Sequence, residues 1–420
     1  MVSLPLNAPP LIFEWSSILS KNYDLVTIGG GIVGLAIADA WLTTNPRDSV
    51  LVIEKESSIA FHASGRNSGV LHAGFYYAPD SLKAKLTRDG NQKLREFCHE
   101  RNIPILEAGK VVVTKSEKEI PALEKLYSQG IANGCTLELI DENQLREIEP
   151  LARTHGKALW SPLTAVSSPI GVTQALADRV IEKGGEIRLS TSVTLAGPGW
   201  VTINGSEKVL AGHIVNTAGV FADRVAHWFG VGKEYKMMPF KGLYLYGNWE
   251  KGRMKRHVYP VPDARNPFLG VHTTVTVDGT VKLGPTAIPA FWREEYSDFS
   301  SFDLGEMSEI LSLFPKFFFS KHHNVPGLIK SEFPKYIKRY LVNQVREMVP
   351  SVNVKDFQTK GRPGIRAQLL HVPTSKLEMD FVVRSGEKST HVLNAVSPAW
   401  TSSLAVGEYV VKNIHDGGFH

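Results

Sequence analysis

Cysteine is nearly absent from this chain: only Cys98 and Cys135 occur, far apart and in no C-x-x-C pair. That excludes a disulfide framework and a cysteine-built metal centre, and no metal site is expected. No apolar run approaches the ~18 residues of a membrane-spanning helix. A strong excess of one charge is missing too. The formal net charge is +5 over 420 residues. This is too mild for a nucleic-acid partner, yet compatible with an anionic substrate or a membrane surface. Residues 1–22 lack the basic start and small-residue cleavage site of a secretory signal, and they are not arginine-rich as a transit peptide is. They read as an N-terminal arm, packed on its own protein or forming a short amphipathic anchor through Leu11, Phe13, Trp15 and Ile18.

What is present begins at residue 23. A short apolar strand over 25–28 runs into Gly29-x-Gly31-x-x-Gly34, which opens a helix at Ile32 and Val33; a second strand ends at Glu54, with Lys55 beside it. The spacing has a mechanism. The first glycine permits a tight turn, the second lets backbone approach a pyrophosphate, and the third lets the helix pack close on the strand. The helix N-terminus faces the phosphates, and a carboxylate about 20 residues on meets ribose hydroxyls. A bare glycine triplet is a weak signal; strand, helix, strand and acid in order read as a dinucleotide site.

Residues 61–77 follow, dense in glycine, small residues, histidine and tyrosine. They read as backbone passing close to a bulky ligand, with Ser64, Asn67, Ser68 and Gly69 as contacts. A strand over 186–195 contains Val193, and Thr217-Ala218-Gly219 is a second strand-into-glycine turn suited to the same nucleotide. From residue 237 the pattern becomes alternating short strands, an antiparallel platform carrying Lys241, Tyr244, His257, Tyr259 and His272. The stretch from Gly361 through Gly364 to Gln368 introduces a last block, in which a strand, a loop with Ser397, Pro398 and Ser402, and a helix over 404–414 return to the nucleotide. The phenylalanine-lysine stretch 313–321 reads either as a membrane-interface wedge or as a buried helix end. The fold class is therefore α/β, a Rossmann-like nucleotide domain (23–102, 160–236 and 357–420) interrupted by an antiparallel substrate domain (103–159 and 237–356).

Two glycine turns, a C-terminal return and an inserted platform resemble the FAD-dependent D-amino-acid-oxidase superfamily. Within it the chain looks most like the L-2-hydroxyglutarate dehydrogenase/oxidase family. The carrying residues run from Arg66 through His72 to Tyr77, then Ser81 to Lys85, Tyr259 to Asp263, Pro267 to His272, Leu283-Gly284-Pro285, Gly364 to Gln368 and Asn394 to Ser403. The chain departs from the family pattern at Lys241, where arginine is usual, at Thr273-Thr274, and at Trp400, where alanine is usual. Lys241 keeps the charge but loses a bidentate fork.

The resemblance implies FAD as cofactor and oxidation of L-2-hydroxyglutarate, or a close 2-hydroxy diacid, to the 2-oxo acid. It implies a catalytic base at His272 or His72, with His272 preferred, and a guanidinium, Arg366, on the substrate carboxylate. Lys241, Tyr244 and Tyr259 are candidates for the distal carboxylate. Some flavin enzymes of the superfamily tether FAD through a histidine at a place similar to that of His62. Electrons then pass to oxygen or a quinone. Apart from the resemblance, the setting expected is cytoplasmic, with peripheral contact to the inner membrane as an option. Rival expectations are an amino-acid or amine oxidase on the same fold, and a flavin-binding assembly factor without turnover.

Overall fold

The computed structural model describes residues 21–263, 268–296, 299, 301–318, 327, 330 and 332–419. Most of the N-terminal arm, Pro267 and residues 319–321 of the phenylalanine-lysine stretch lie outside the described residues. Within that stretch Leu313 and Phe317 are buried, packed with Met238, Phe240 and Phe268.

Strand Asn22–Ile28 is central to the nucleotide sheet, pairing in parallel with Val50–Ile53 on one side and Glu207–Asn216 on the other. Strand Ser389–Asn394 joins Glu207–Asn216 in parallel, so the C-terminal segment completes the sheet begun at residue 22. Helix Ile32–Thr44 is apolar nearly all round because it is covered on both sides, by the sheet and by helices Pro169–Glu182 and Ala399–His415. Gly407 allows the closing helix to approach: a Cβ there would lie 2.4 Å from the carbonyl oxygen of Ala36.

The strand expected over 186–195 is two strands. Glu186–Arg188 extends one edge of this sheet beside Val50–Ile53, whereas Val193–Gly197 lies at the opposite edge. Between them Ser190 takes a φ of 50°, and the N–H groups of Ser190 and Thr191 donate to the carbonyls of Glu56 and Glu54. Backbone bonding to the end of the second strand, invisible in side-chain alternation, breaks the run. The closing helix also starts earlier than expected, at Ala399, so Thr401 and Ser402 lie in its first turn.

The second large sheet runs, strand by strand, 359–360, Leu245–Tyr246, Val281–Gly284, His272–Val275, His257–Pro260, Lys110–Val113, Lys157–Ser161 and Glu138–Asp141. It is antiparallel except where Lys110–Val113 runs parallel to His257–Pro260. It takes in Trp160, Ser161 and residues 359–360, which lie beyond the boundaries expected from sequence. One face is apolar: Val111, Val113, Val258, Val275, Leu283 and Leu245 pack against Leu341, Val342 and Val345 of helix Lys338–Arg346. A smaller sheet pairs Tyr235–Gly242 with Gly364–His371, setting Phe240 opposite Arg366 and Lys241 opposite Ile365.

Candidate active site

The glycine turn has the constraints its spacing predicts. Gly29 sits at φ +109°, and a Cβ on Gly34 would lie 2.1 Å from the Gly29 carbonyl oxygen and 2.6 Å from Thr217 Oγ1. Only glycine permits this contact of helix and strand. Gly31 stands at the N-cap with no side chain to cap the helix, and the N–H of Ile32 donates to Ser64 Oγ at 2.9 Å. Val33 completes that first turn. Glu54 is buried at the end of the second strand; its carboxylate accepts from the N–H of Gly30 at 3.0 Å and of Glu56 at 2.9 Å. An open helix N-terminus, a turn without side chains and a fixed carboxylate fit a dinucleotide such as FAD.

The other expected cofactor contacts divide. Asn67 organises its loop, accepting from Gly69 N–H and donating to the carbonyls of Ala63 and Ser64. Gly364 brings the last block against that loop, since a Cβ would lie 2.5 Å from the Arg66 carbonyl oxygen. Ala218 and Gly219 follow directly on Thr217, whose hydroxyl donates to the Ile28 carbonyl. Val193 begins a strand just after the turn that touches Glu54. Ser397 and Pro398 precede the closing helix. Ser402 is used otherwise: it is buried where that helix meets helix Leu82–Glu100, 2.6 Å from where a Gly90 Cβ would stand. Its neighbour Thr401 ties the helix to strand Val70–Leu71, accepting from His72 N–H and donating to the Val70 carbonyl. Lys55 is turned into ion pairs with Glu56 at 2.6 Å and Glu294 at 2.8 Å. Glu56, His62 and Glu294 form a cluster of metal-ligand type, and the Lys55 ammonium already supplies its cation. Both ring nitrogens of His62 are engaged, by Tyr296 Oη at 2.7 Å and Glu56 at 2.9 Å.

The substrate side is built by register. Paired residues on neighbouring strands project to the same face. Ser161, Lys110 and His257 are paired in a row, and Thr274 and Lys282 are paired beside them. The Val258–Thr273 pairing sets His257 against Thr274 and Tyr259 against His272. The second pair stacks, ring centroids 3.6 Å apart. The sheet therefore has an apolar back and a polar front, on which Lys110, His257, Tyr259, His272, Thr274 and Lys282 are all buried. Lys282 Nζ donates to the Ser68 carbonyl at 2.9 Å, joining this front to the cofactor loop.

The electrostatics of the front are one-sided. Burial, reinforced by Lys110, His272, His257 and Arg366, holds His72 well below its usual pKa. His257 is likewise held low by burial and by Lys110, His272, Lys282 and Arg256. Burial pulls His272 down to about 3, against the pull of the Gly270 carbonyl. It also pulls Lys110 down to about 7 and Lys282 to about 8. Among the described residues, the charges that act most on His72, His257 and His272 include no carboxylate. Among the described residues Nε2 of His257 is buried without a hydrogen-bond partner, and the buried hydroxyls of Tyr259 and Thr274 have none beyond a long contact with each other. Burial pushes Tyr259 up, and pushes Tyr244 up to about 12.

Arg366 belongs to this group: its charge acts on His72, His272, Tyr77, Tyr244 and Tyr259. Lys241 does not. It projects from the face of the small sheet opposite to that of Arg366 and is paired with Glu295 at 3.3 Å. Sequence reasoning missed Lys110 and Lys282. The only trace was a lysine at the head of Lys-Val-Val-Val and another inside Val-Lys-Leu-Gly, a charge where apolar strand is expected.

The FAD-dependent oxidoreductase family profile matches residues 24–413. An L-2-hydroxyglutarate dehydrogenase, mitochondrial, of Caenorhabditis elegans is 38% identical over 93% of both chains. The L-2-hydroxyglutarate dehydrogenase of Escherichia coli (strain K12) is 34% identical over 93% of both. Among solved structures, dithionite-reduced L-alpha-glycerophosphate oxidase from Mycoplasma pneumoniae with FAD bound superposes with a TM-score of 0.75 at 22% identity, over 93% of this chain and 94% of that one. Glycine oxidase from Geobacillus kaustophilus gives 0.70 at 16%, covering 96% of each. A flavoprotein fold, a glycine cradle that fits FAD and full-length relatives agree, and this chain belongs to the FAD-dependent oxidoreductase family, in the group of the L-2-hydroxyglutarate dehydrogenases.

Proposed function

We propose that the chain oxidises L-2-hydroxyglutarate to 2-oxoglutarate. One observation carries the reading: a buried front whose three histidines and Lys110 have no carboxylate partner among the described residues, joined to the cofactor loop where Lys282 donates to the Ser68 carbonyl. A dianion supplies the missing negative charge and the missing hydrogen-bond acceptors. FAD, when bound, supplies the hydride acceptor for the electron pair of the C2–H bond. The chain must do the rest. His272 Nδ1 lies 2.7 Å from the Gly270 carbonyl oxygen, which can only accept, so the ring proton sits on Nδ1. Nε2 is left with a lone pair for the hydroxyl proton as C2–O becomes C2=O; burial keeps it unprotonated before substrate binds, and the dianionic substrate beside it raises its basicity for the transfer. Arg366 grips the C1 carboxylate through its planar fork. Tyr259 and Tyr244 donate to the distal carboxylate, and Lys241, occupied by Glu295, is dropped from that role.

The test is anaerobic mixing of holoprotein with L- and D-2-hydroxyglutarate. Bleaching by the L-isomer alone is expected; a flavin left oxidised by it rejects the substrate. A fold shared with glycine oxidase makes an amino-acid substrate the second reading. The cationic front opposes an ammonium group, and the same bleaching experiment with amino acids decides. Oxygen and quinone are the two acceptor classes, and reoxidation rates in air and with a soluble quinone separate them.

A further inference from the structure

Lys110 is a buried cation without an anion. It stands on the front of the large sheet with no exposed surface, and among the described residues no carboxylate pairs with it. Its ammonium lies over three rings, Tyr259 at 4.3 Å, Tyr76 at 5.1 Å and Phe75 at 5.3 Å from their centroids. Among the described residues the ammonium has one polar contact, with Nδ1 of His72 at 3.4 Å. An ammonium has donors and no lone pair, so this contact requires a lone pair on Nδ1 and puts the His72 ring proton on Nε2. The Gly270 carbonyl imposes the opposite tautomer on His272.

We infer that Lys110 is a positioning residue that fixes His72 as an Nε2–H donor toward the substrate oxygens, leaving His272 as the acceptor. The assignment of substrate rests on the function proposed above; the tautomer does not. The two histidines then divide the work. His72 stabilises negative charge on the substrate oxygens, while His272 removes the proton, and neither can exchange roles while its fixed partner remains.

The groups facing Lys110 leave its own titration to control this arrangement. His72, Phe75 and Tyr76 face it from the segment after strand Val70–Leu71, and His257 and Tyr259 from the neighbouring strand; His272 lies beyond, acted on by both Lys110 and Arg366. The histidines are held neutral and the tyrosines protonated well past neutrality. Lys110 itself falls to about 7, below Lys282 and Lys83 at about 8. When it loses its proton, Nδ1 of His72 is no longer held as an acceptor.

Histidine ring nitrogen-15 shifts of the holoprotein, measured without substrate and with His72 assigned through His72→Gln, test the tautomer directly. An Nε2–H signal at pH 6 that moves toward the Nδ1–H form on titration through about 7, or in Lys110→Met, is expected, the approximate value being that of Lys110. An Nδ1–H signal in the unaltered protein, or a Lys110→Met spectrum identical to it, overturns the inference. In stopped-flow flavin reduction, Lys110→Met should lower the rate about 10–100-fold with KM moved less than about threefold, the scale of a lost orienting partner. Its kcat/KM should lose the decline with rising pH that the unaltered enzyme shows. A loss confined to KM would mean that Lys110 binds substrate itself, and would overturn the positioning role. FAD content and melting temperature report folding, and Lys110→Gln serves if the methionine variant fails. Flavin that L-2-hydroxyglutarate cannot reduce sinks the proposed function and leaves the nitrogen-15 result to judge Lys110.

Discussion

At the scale of single residues, the front depends on burial more than on pairing. His272 is useful because desolvation keeps its imidazole neutral and the Gly270 carbonyl fixes its tautomer. Replacing it with asparagine keeps a polar group of similar size and removes the basic nitrogen. His272→Asn should retain FAD while flavin reduction by L-2-hydroxyglutarate slows by ~10²–10⁴, the usual worth of a general base. A rate within about threefold of the unaltered enzyme, far short of that range, would remove His272 from the base role. Arg366→Lys keeps charge and gives up the bidentate fork, so its loss should appear in KM, by roughly tenfold or more. An unchanged KM would move the C1 carboxylate elsewhere. Arg366 and His272 could be singled out from the sequence because they stand in motifs that resemble the family's, and their roles are what these variants test. Lys110 was not legible: a lysine heading a valine strand looks like an exposed end until the pairing to His257 shows which face it takes.

Among the elements, the strand-turn-helix unit from Asn22–Ile28 to Val50–Ile53 was fully legible, since its glycine spacing, apolar runs and terminal acid are local signals. Gly34→Ala tests the tightest point of that unit. Its methyl would stand 2.1 Å from backbone oxygen, which cannot rotate away as a side chain would. Separating helix from strand disturbs the N-terminus that faces the phosphates, so Gly34→Ala should purify with little or no FAD and a lower melting temperature. Normal flavin content would show that the contact relaxes cheaply. Elements fixed by distant backbone were not legible. The break at 189–192 depends on carbonyls of Glu54 and Glu56, and the early start of the closing helix depends on packing against Gly90 and Val70. Periodicity reports which side of an element is apolar, and says nothing of bonds made from the far end of the chain.

Across the whole molecule, two sheets with separate apolar cores meet along a polar seam, held in part by Lys282 of the second sheet on the Ser68 carbonyl of the cofactor loop. Such a seam stores pH dependence. Burial holds His72 and His257 low, His272 at about 3, and His213 and His391 of the nucleotide sheet at about 4. Unfolded histidines bind protons below about 6.5, so between that pH and the folded values the unfolded chain holds more protons than the native one. Stability therefore rises with pH in this window. It is fully present above about 6.5 and is lost as pH falls toward 4, each such group contributing up to ~1.4 kcal/mol per pH unit. The urea midpoint of the holoprotein should accordingly drop between pH 7 and pH 5. A dicarboxylate in the seam opposes that drop by binding only the folded form: product at ~100 times its Kd adds about 2.7 kcal/mol. Unfolding curves at both pH values, with and without 2-oxoglutarate, measure both effects. Equal midpoints at pH 7 and pH 5 would mean that these histidines are hydrated or paired in solution. A dicarboxylate with no effect on either curve would mean that the front does not take its anion from the substrate.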